Sequence, residues 1–177
     1  MADATFEALM TESAQIARPV VLLDADGGPA TPIYEPTGES VRVRIAPARA
    51  GSRDGLLGRT EEATHVIYAT PEDVRVADRL IVRPMVTSLS ADVDAGVSVL
   101  PVTATEGLLD GQRVEIGDEE LTVAAVGAGE IHVTPALAGE YEAGEALTLV
   151  VRYEVLGVAD EAGVGHHLRL SATEITA

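Results

Sequence analysis

The 177-residue chain has no cysteine, no lysine and no tryptophan, and aromatic residues make up only 3% of it. The missing cysteine excludes disulfide bonds and thiolate metal sites. With so few aromatics, a hydrophobic core has to be built from Val, Leu, Ile and Ala, and the abundant Val and Thr favour strands. The sequence has no apolar run long enough for a transmembrane helix, and its acidic N-terminus does not predict a signal peptide.

Positive charge is scarce as well. Acidic residues number 29 against 12 basic residues, all of them arginine, and the formal net charge is −17. This balance argues against general binding to nucleic-acid backbones and to anionic membranes. The chain also lacks the G-x-S-x-G nucleophile motif, and without lysine it cannot form a P-loop for phosphates. We therefore expect a protein that is not an enzyme and that uses no cofactor.

Strand patterns cover most of the chain. In "ESVRVRIAPA" the apolar residues alternate with Arg42 and Arg44, which predicts a strand with one apolar face and one basic face. The segments "THVIYAT", "DRLIVRP" and "RYEVLGVAD" and the closing "HHLRLSATEI" are typical of further strands, separated by Gly-rich and polar turns. The predicted fold class is all-β, a small β-barrel or sandwich.

The N-terminal segment differs from the rest. Phe6, Leu9, Met10 and Ile16 recur near helical spacing before Pro19, which predicts a short amphipathic helix. A helix of this length is marginal on its own. It is therefore interpreted either as a frayed terminus or as an arm that docks on a neighbouring molecule.

The middle of the chain has a different charge. Residues 87–150 contain twelve acidic residues against one arginine, Arg113, and short strand patterns are broken by "GD", "GAG" and "AGE". This shift predicts a second small β domain inserted between the strands of the first. The predicted division is a helical arm at 1–17, a β-barrel core at 18–86 and 151–177, and an acidic inserted β domain at 87–150.

Two features of the sequence suggest a metal site, but neither has the geometry that metal binding needs. His166 and His167 are adjacent, and successive side chains of a strand point to opposite faces, so they cannot chelate one ion together. In "DADGGPATPIYE", Asp24 and Asp26 fit the first positions of an EF-hand loop, but Pro29 stands where that loop needs glycine. We predict no metal site, and a hairpin turn at the aspartates.

One stretch is basic in this acidic chain. Residues 41–59 carry five arginines against Asp54 alone, and much of the stretch is a predicted Gly-rich loop at 47–62. The arginines either pair with the acidic surplus of the same chain or contact an acidic partner or a nucleic acid. The candidate partner-binding residues of this loop are Arg49, Arg53, Leu56, Leu57 and Arg59.

The order of the outer segments resembles the head–tail joining family of tailed bacteriophages, the head-closure or stopper proteins. In that family a "T-H-x-I" strand precedes a "D-R-I/L" segment, and a "Y-x-V-x-G-V-x-D" strand leads into a last strand ending "L-x-L". The resemblance covers about residues 18–86 and 151–176, and the inserted domain departs from the family's minimal form. The matching residues are Thr64, His65, Ile67, Asp78, Arg79, Leu80, Tyr153, Val155, Gly157, Val158 and Asp160.

The resemblance implies a structural protein of the virion neck, made in the host cytoplasm. It implies a ring, a hexamer or dodecamer, that joins the DNA-filled head to the tail and closes the channel. Its partners would be portal or adaptor proteins on one side and tail-terminator or tail-tube proteins on the other. The loop 47–62 would face the channel, close to packaged DNA or to an adaptor. Alternatives are a tail terminator or tail-tube protein, and a β module that binds a sugar or a protein.

Overall fold

A computed structural model of the chain describes residues 8–20, 32–48, 63–70, 72–160 and 167–175. Every regular element in these ranges is a β-strand, so the predicted all-β class is confirmed. The strands are β1 (Glu12–Val20), β2 (Ile33–Pro47), β3 (His65–Ala69), β4 (Arg79–Val82), β5 (Met85–Ser88), β6 (Val99–Pro101), β7 (Arg113–Ile116), β8 (Glu119–Val126), β9 (Glu130–Thr134), β10 (Ala146–Leu149), β11 (Val151–Asp160) and β12 (Leu168–Glu174).

The chain forms two compact units. One consists of Met1–Val82 and Arg152–Ile175, and the other contains Arg83–Val151. The second unit therefore interrupts the first between β4 and β11, which are neighbouring strands of the same barrel. The charge pattern of the sequence places the ends of the insert at 87 and 150, within a few residues of these boundaries.

The first unit is a closed six-stranded barrel with the strand order β1-β2-β3-β12-β11-β4. Each strand of the barrel has a hydrogen-bonded neighbour on both sides, while the first half of β2, before Val43, pairs with β1 and extends beyond the register with β3. Its interior is aliphatic, as the composition requires. Fully or nearly fully buried residues include Ala14, Ile16, Val41, Val43, Ile67, Ala69, Leu80, Val82, Val155, Leu170 and Ala172.

The predicted N-terminal helix is wrong over the residues that the structure describes. Glu12–Val20 is a strand, and it closes the barrel by pairing with β2 on one side and β4 on the other. Ala14 and Ile16 are fully buried, while Ser13 before them is exposed and Gln15 between them is half-buried, which is the two-residue period of a strand. Two rows of interstrand hydrogen bonds and a buried face outweigh the weak local preference for helix. The part of the predicted helix at 1–7 lies outside the described residues.

The hairpin between β1 and β2 agrees with the predicted turn. Val20 pairs with Ile33, so the two strands are joined by the segment that carries "DADGG". The turn residues themselves, 21–31, lie outside the described part of the chain.

The second unit is a curled six-stranded sheet with the order β5-β10-β7-β8-β9-β6. An isolated bridge between Leu89 and Val102 joins the ends of the two edge strands. The sheet encloses a single aliphatic cluster, in which the following side chains are at most 7% exposed: Leu89, Val93, Leu100, Val102, Leu108, Val114, Ile116, Leu121, Val123, Ile131, Val133, Leu137 and Leu147.

Candidate functional site

The predicted partner loop leaves the barrel at a defined place. The segment 49–62, with Arg49, Arg53, Leu56, Leu57 and Arg59, lies outside the described residues. Its two ends are described, and the Ala48 amide donates to the Thr64 carbonyl at 2.8 Å. β2 and β3 pair directly up to Pro47 opposite His65. The loop is therefore the connection of a β2–β3 hairpin at one end of the barrel.

Arg44, on the strand that leads into this loop, belongs to a basic row across the barrel. Arg44 of β2 is paired with Tyr68 of β3, and Tyr68 is paired with Arg169 of β12. Residues directly opposite each other in antiparallel strands project from the same face. These three side chains therefore lie side by side across three neighbouring strands.

The row faces outward. Val43, Ala69 and Leu170, each adjacent in sequence to a member of the row, are all 0% exposed inside the barrel. Because side chains alternate along a strand, Arg44, Tyr68 and Arg169 project to the outside. Arg44 is exposed, while Tyr68 and Arg169 are half-buried. The alternation predicted from "VRVRI" is confirmed for Val41, Val43 and the arginines between and beside them.

Two more residues extend this row. Arg42 lies two positions before Arg44 on the same exposed face, and its Nη2 donates to the Met10 carbonyl at 2.8 Å. The ring of His167 lies 6.2 Å from the ring of Tyr68, between centroids. We call Arg42, Arg44, Tyr68, His167 and Arg169 the cationic row. His166, the other member of the histidine pair, lies outside the described residues.

The residues paired next to the cationic row are small and uncharged. Ser13 is opposite Arg42, and Ala159 is opposite Arg169. One step along the outer face, Ala46, Val66 and Ser171 are paired in a second row. None of these five described neighbours is acidic, and Ser171 among them is buried.

The barrel end below the loop is held by contacts among residues of the family resemblance. The rings of His65 and Tyr153 meet edge to face with centroids 5.0 Å apart. The Thr64 hydroxyl lies 2.9 Å from His65 Nδ1 and accepts the Glu174 amide at 3.0 Å. Burial, together with the charges of Glu174 and Glu12, raises the pKa of Tyr153 to about 12, so this tyrosine stays neutral. These contacts anchor the β2–β3 hairpin to β11 and β12.

Asp78, another residue of the resemblance, is a buried anchor. It is 1% exposed and accepts two hydrogen bonds at 3.0 Å, from Nε and Nη2 of Arg18 on β1. The Arg75 amide adds a third at 2.9 Å. The bond to Asp78 is the main reason that the pKa of Arg18 is raised. Asp78 therefore ties the segment before β4 to the strand that closes the barrel, which is a structural task.

The sequence pattern indicates parts of the cationic row but not that they lie side by side. The alternation of β2 indicated that Arg42 and Arg44 share a face, and the spacing of two residues between His167 and Arg169 is that of neighbours on one face of a strand. Tyr68 lies in a segment correctly predicted as a strand, without any sign of a role. What was missing is the register of β2, β3 and β12, which depends on the barrel as a whole.

In the described part of the chain, no group of three or more His, Asp or Glu side chains is arranged to hold a metal ion. No helix there has the length and apolar character needed to span a membrane. A scan against protein-family models finds no match to the chain. Searches among curated proteins and among solved structures find no match either.

Proposed function

We propose that the protein is a structural component of the neck of a tailed phage. A ring of its subunits joins the DNA-filled head to the tail and closes the channel, and the protein catalyses no reaction. The observation that carries the proposal is the cationic row beside the root of the Arg-rich β2–β3 loop, on a chain whose net charge is −17. Positive charge is concentrated on one hairpin and its neighbour, where it can contact a partner.

The residues of the family resemblance support this proposal through the tasks they perform. Ile67, Leu80 and Val155 fill the barrel interior, and Asp78 anchors β4 to β1. Tyr153 packs against His65 below the loop. Such residues preserve a barrel and the position of its loop. A connector needs this kind of rigid frame, because it has to present one loop in the same place in every subunit of a ring.

The loop supplies the contact in this proposal. Glycines at 51, 55 and 58 permit many backbone conformations, and the arginines offer forked donors to carboxylates or phosphates. Leu56 and Leu57 can pack against a neighbour when the ring forms. In the assembled neck the loop lines or closes the central channel.

The first test is a nonsense mutation in the gene of the phage that encodes it. Grown on a host without a suppressor, the mutant should produce heads and tails that are not joined, and a plasmid copy of the gene should restore complete particles. Electron microscopy of the lysate measures both. Complete, infectious particles without the protein would contradict the proposal. Absent or overlong tails would instead favour a tail-tube or tail-terminator protein, and a normal lysate would favour a β module with a binding role.

The second test removes the charge of the loop. The triple change Arg49→Ala, Arg53→Ala and Arg59→Ala should leave the barrel folded and reduce the yield of filled, tail-bearing particles. The matched control is Arg113→Ala, which removes an exposed arginine of the inserted unit and should not affect the yield. A normal yield with full DNA retention in the triple variant would contradict a role for the loop. An assembled neck in which the loop faces bulk solvent would do the same.

A further inference from the structure

We propose that the open edge of β2 is built to prevent a second copy of the chain from adding a strand there. This edge belongs to residues 33–41, the part of β2 that lies before its register with β3. A proline, a bulge and exposed carboxylates occur together in this part, and each of them interferes with strand addition. The inference does not rest on the neck function, since it concerns a contact that the fold avoids.

The edge is open in the part of the chain that the structure describes. β2 pairs with β1 from Ile33 to Val43, whereas its pairing with β3 begins only at Val43. The last contact on the β3 side is at Arg42, whose carbonyl accepts the Thr70 amide at 3.1 Å and whose amide donates to Thr70 Oγ1 at 3.3 Å. Most residues from 33 to 40 are exposed. A row of unpaired backbone groups of this kind is a template for another strand.

Pro36 removes a donor from this edge. In an antiparallel ladder, two directly opposite residues either exchange both backbone hydrogen bonds or exchange none, and the two kinds of pair alternate. Glu35 is paired with Arg18, and the pairs on either side of it each contain a proline, Pro36 or Pro19. Because proline has no N–H, the hydrogen-bonded pair is Arg18 with Glu35. Pro36 therefore faces the open edge, at a position where an added strand would need a donor.

A bulge interrupts the same edge. Opposite Ile16 of β1, β2 has three residues, 37–39, where regular pairing would have one. Gly38 has φ of +81°, a backbone conformation that favours glycine. Thr37 Oγ1 donates to the Ile16 carbonyl at 3.1 Å and accepts the Glu39 amide at 3.2 Å, so hydrogen bonds fix the bulge from within. Because a bulge bends its strand, a straight strand from a second copy cannot follow the edge on both sides of it.

Carboxylates add repulsion at the edge. Glu35 and Glu39 are both exposed on this part of β2. Two copies that met by their β2 edges would bring these carboxylates together, and like charges on paired strands destabilise the pair. A site that accepts a strand needs the opposite features, a straight edge with an uninterrupted row of donors and acceptors. The edge of β2 therefore separates copies of the chain and does not join them.

The test restores a regular edge in the full chain. Three variants are compared with the wild type: Pro36→Val, which adds an N–H; deletion of Gly38 and Glu39, which leaves Thr37 alone in place of the bulge; and both changes together. Sedimentation velocity over a range of concentrations measures association, and hydrogen exchange followed by mass spectrometry locates the contact. We expect the combined variant to associate with itself about tenfold more strongly than the wild type, or more. Exchange in 33–40 should become slower as its concentration rises.

The matched control is Glu35→Val. It gives β2 the same apolar, β-branched residue as Pro36→Val, and it removes a charge as the deletion does. The backbone groups of residue 35 already face β1, and Pro36 and the bulge remain, so the open edge is unchanged. This variant should associate no more than the wild type.

Three results would overturn the inference. The first is a combined variant that is folded by circular dichroism and associates no more than the wild type. The second is equal association of Glu35→Val, which would attribute the effect to added apolar surface. The third is slower exchange of 33–40 in the concentrated wild type, which would make this edge a contact between copies. If the combined variant does not fold, Pro36→Val alone, at an exposed position, takes its place in the same comparison.

The outcome is independent of the tests of the neck function. Copies of the wild type that associate through the loop 47–62 would leave the exchange of 33–40 unchanged, and the inference would stand. If the nonsense mutant produces complete particles while the combined variant associates as expected, only the neck function is wrong.

Discussion

The barrel and the inserted unit each hold an irregular segment with one carboxylate, and they satisfy that carboxylate in different ways. In the barrel, Asp78 is bound by the guanidinium of Arg18 and by one backbone amide. In the inserted unit, Glu119 accepts the amides of Ala138 and Gly139, at 2.7 and 2.6 Å, and the Tyr141 hydroxyl at 2.9 Å. The barrel uses a cation, and the insert uses only neutral donors.

The difference follows from the charge of each unit. The inserted unit has twelve acidic residues and two arginines, and both arginines are bonded elsewhere. Backbone amides are donors that do not depend on composition, so an acidic unit can fix a loop without adding a positive side chain. The consequence is an inserted unit that stays strongly negative, next in sequence to a barrel that carries ten of the twelve arginines of the chain. In each unit, the kind of donor that binds the anchoring carboxylate thus corresponds to the number of arginines that the unit contains.

The largest expected effect tests whether the two units are independent. Ile131→Ala removes a fully buried side chain from the core of the insert, and it should destabilise that unit by about 3 kcal/mol. Hydrogen exchange followed by mass spectrometry should show faster exchange in 83–151 and unchanged exchange in the barrel. Leu170→Ala, equally buried in the barrel, is the matched change and should give the opposite pattern. Faster exchange in both units from either change would show that they unfold together.

The next effect concerns the barrel anchor. Asp78→Ala removes a buried carboxylate that accepts three hydrogen bonds. Two donors of Arg18 lose their acceptor, so the free energy of unfolding should fall by about 2 kcal/mol. Denaturant unfolding measures the loss, and exchange should rise in β1 and β4. Asp73→Ala removes an exposed carboxylate from the same cluster and should cost much less. Equal losses in the two variants would mean that the buried position of Asp78 contributes nothing.

A smaller effect should appear at the turn between β7 and β8. Gly117 has φ of +55°, and a Cβ there would lie 2.8 Å from Cε1 of Tyr141. Gly117→Ala therefore adds backbone strain and displaces the ring that donates to Glu119, at a cost of about 1.5 kcal/mol. Gly96→Ala is the control, because φ is +84° there and no atom lies within 4 Å of the added Cβ. The two changes share the backbone strain, so a loss no greater at Gly117 would show that the tyrosine contact is unimportant.

Much of the barrel could be predicted because its signal is local. Val41 and Val43 alternate with arginines, and "HVIYA" and "RLIV" are rich in β-branched residues, so the pattern identifies strands without knowledge of their partners. The segment around Ala14 and Ile16 has no such signal. Its alanines favour helix, and it forms a strand because it can pair with β2 on one side and with β4 on the other. The strand that closes the barrel was therefore the one that the pattern missed.

The candidate site was predictable only in part, for the same reason. Charge counting located the basic stretch that holds Arg42 and Arg44, since composition is a property of the sequence alone. Arg169 lies over a hundred residues further along, and only the register through Tyr68 places it beside Arg44. Register depends on how the whole barrel closes, which no local pattern contains. The contact partners of Glu119 were hidden similarly, because two of the three are backbone amides of a loop about twenty residues away, which no sequence pattern marks.

The smallest effect concerns the pH dependence of the Glu119 anchor, compared with that of Asp73, the exposed carboxylate beside the barrel anchor. The amides of Ala138 and Gly139 and the Tyr141 hydroxyl lower the pKa of Glu119 below its ordinary value of 4.5, with the Ala138 amide contributing most. A carboxylate whose pKa is lowered in the folded state stabilises that state above the unfolded value, and the contribution disappears as pH falls through the folded pKa. Glu119→Gln cannot carry this charge, so it should be less stable than the wild type by about 1 kcal/mol near neutral pH, because the carboxylate is only half-buried. This difference in stability should begin to shrink as pH falls below 4.5, the ordinary pKa of a glutamate. In the barrel, the hydrogen bond from Arg75 is the main reason that the pKa of Asp73 lies below its ordinary value of 3.8. The difference in stability between Asp73→Asn and the wild type should therefore persist until the pH falls to about 3.8. Unfolding of each variant against the wild type across this pH range measures both differences, and a Glu119→Gln difference that does not change with pH would mean that the charge of Glu119 does not hold the loop.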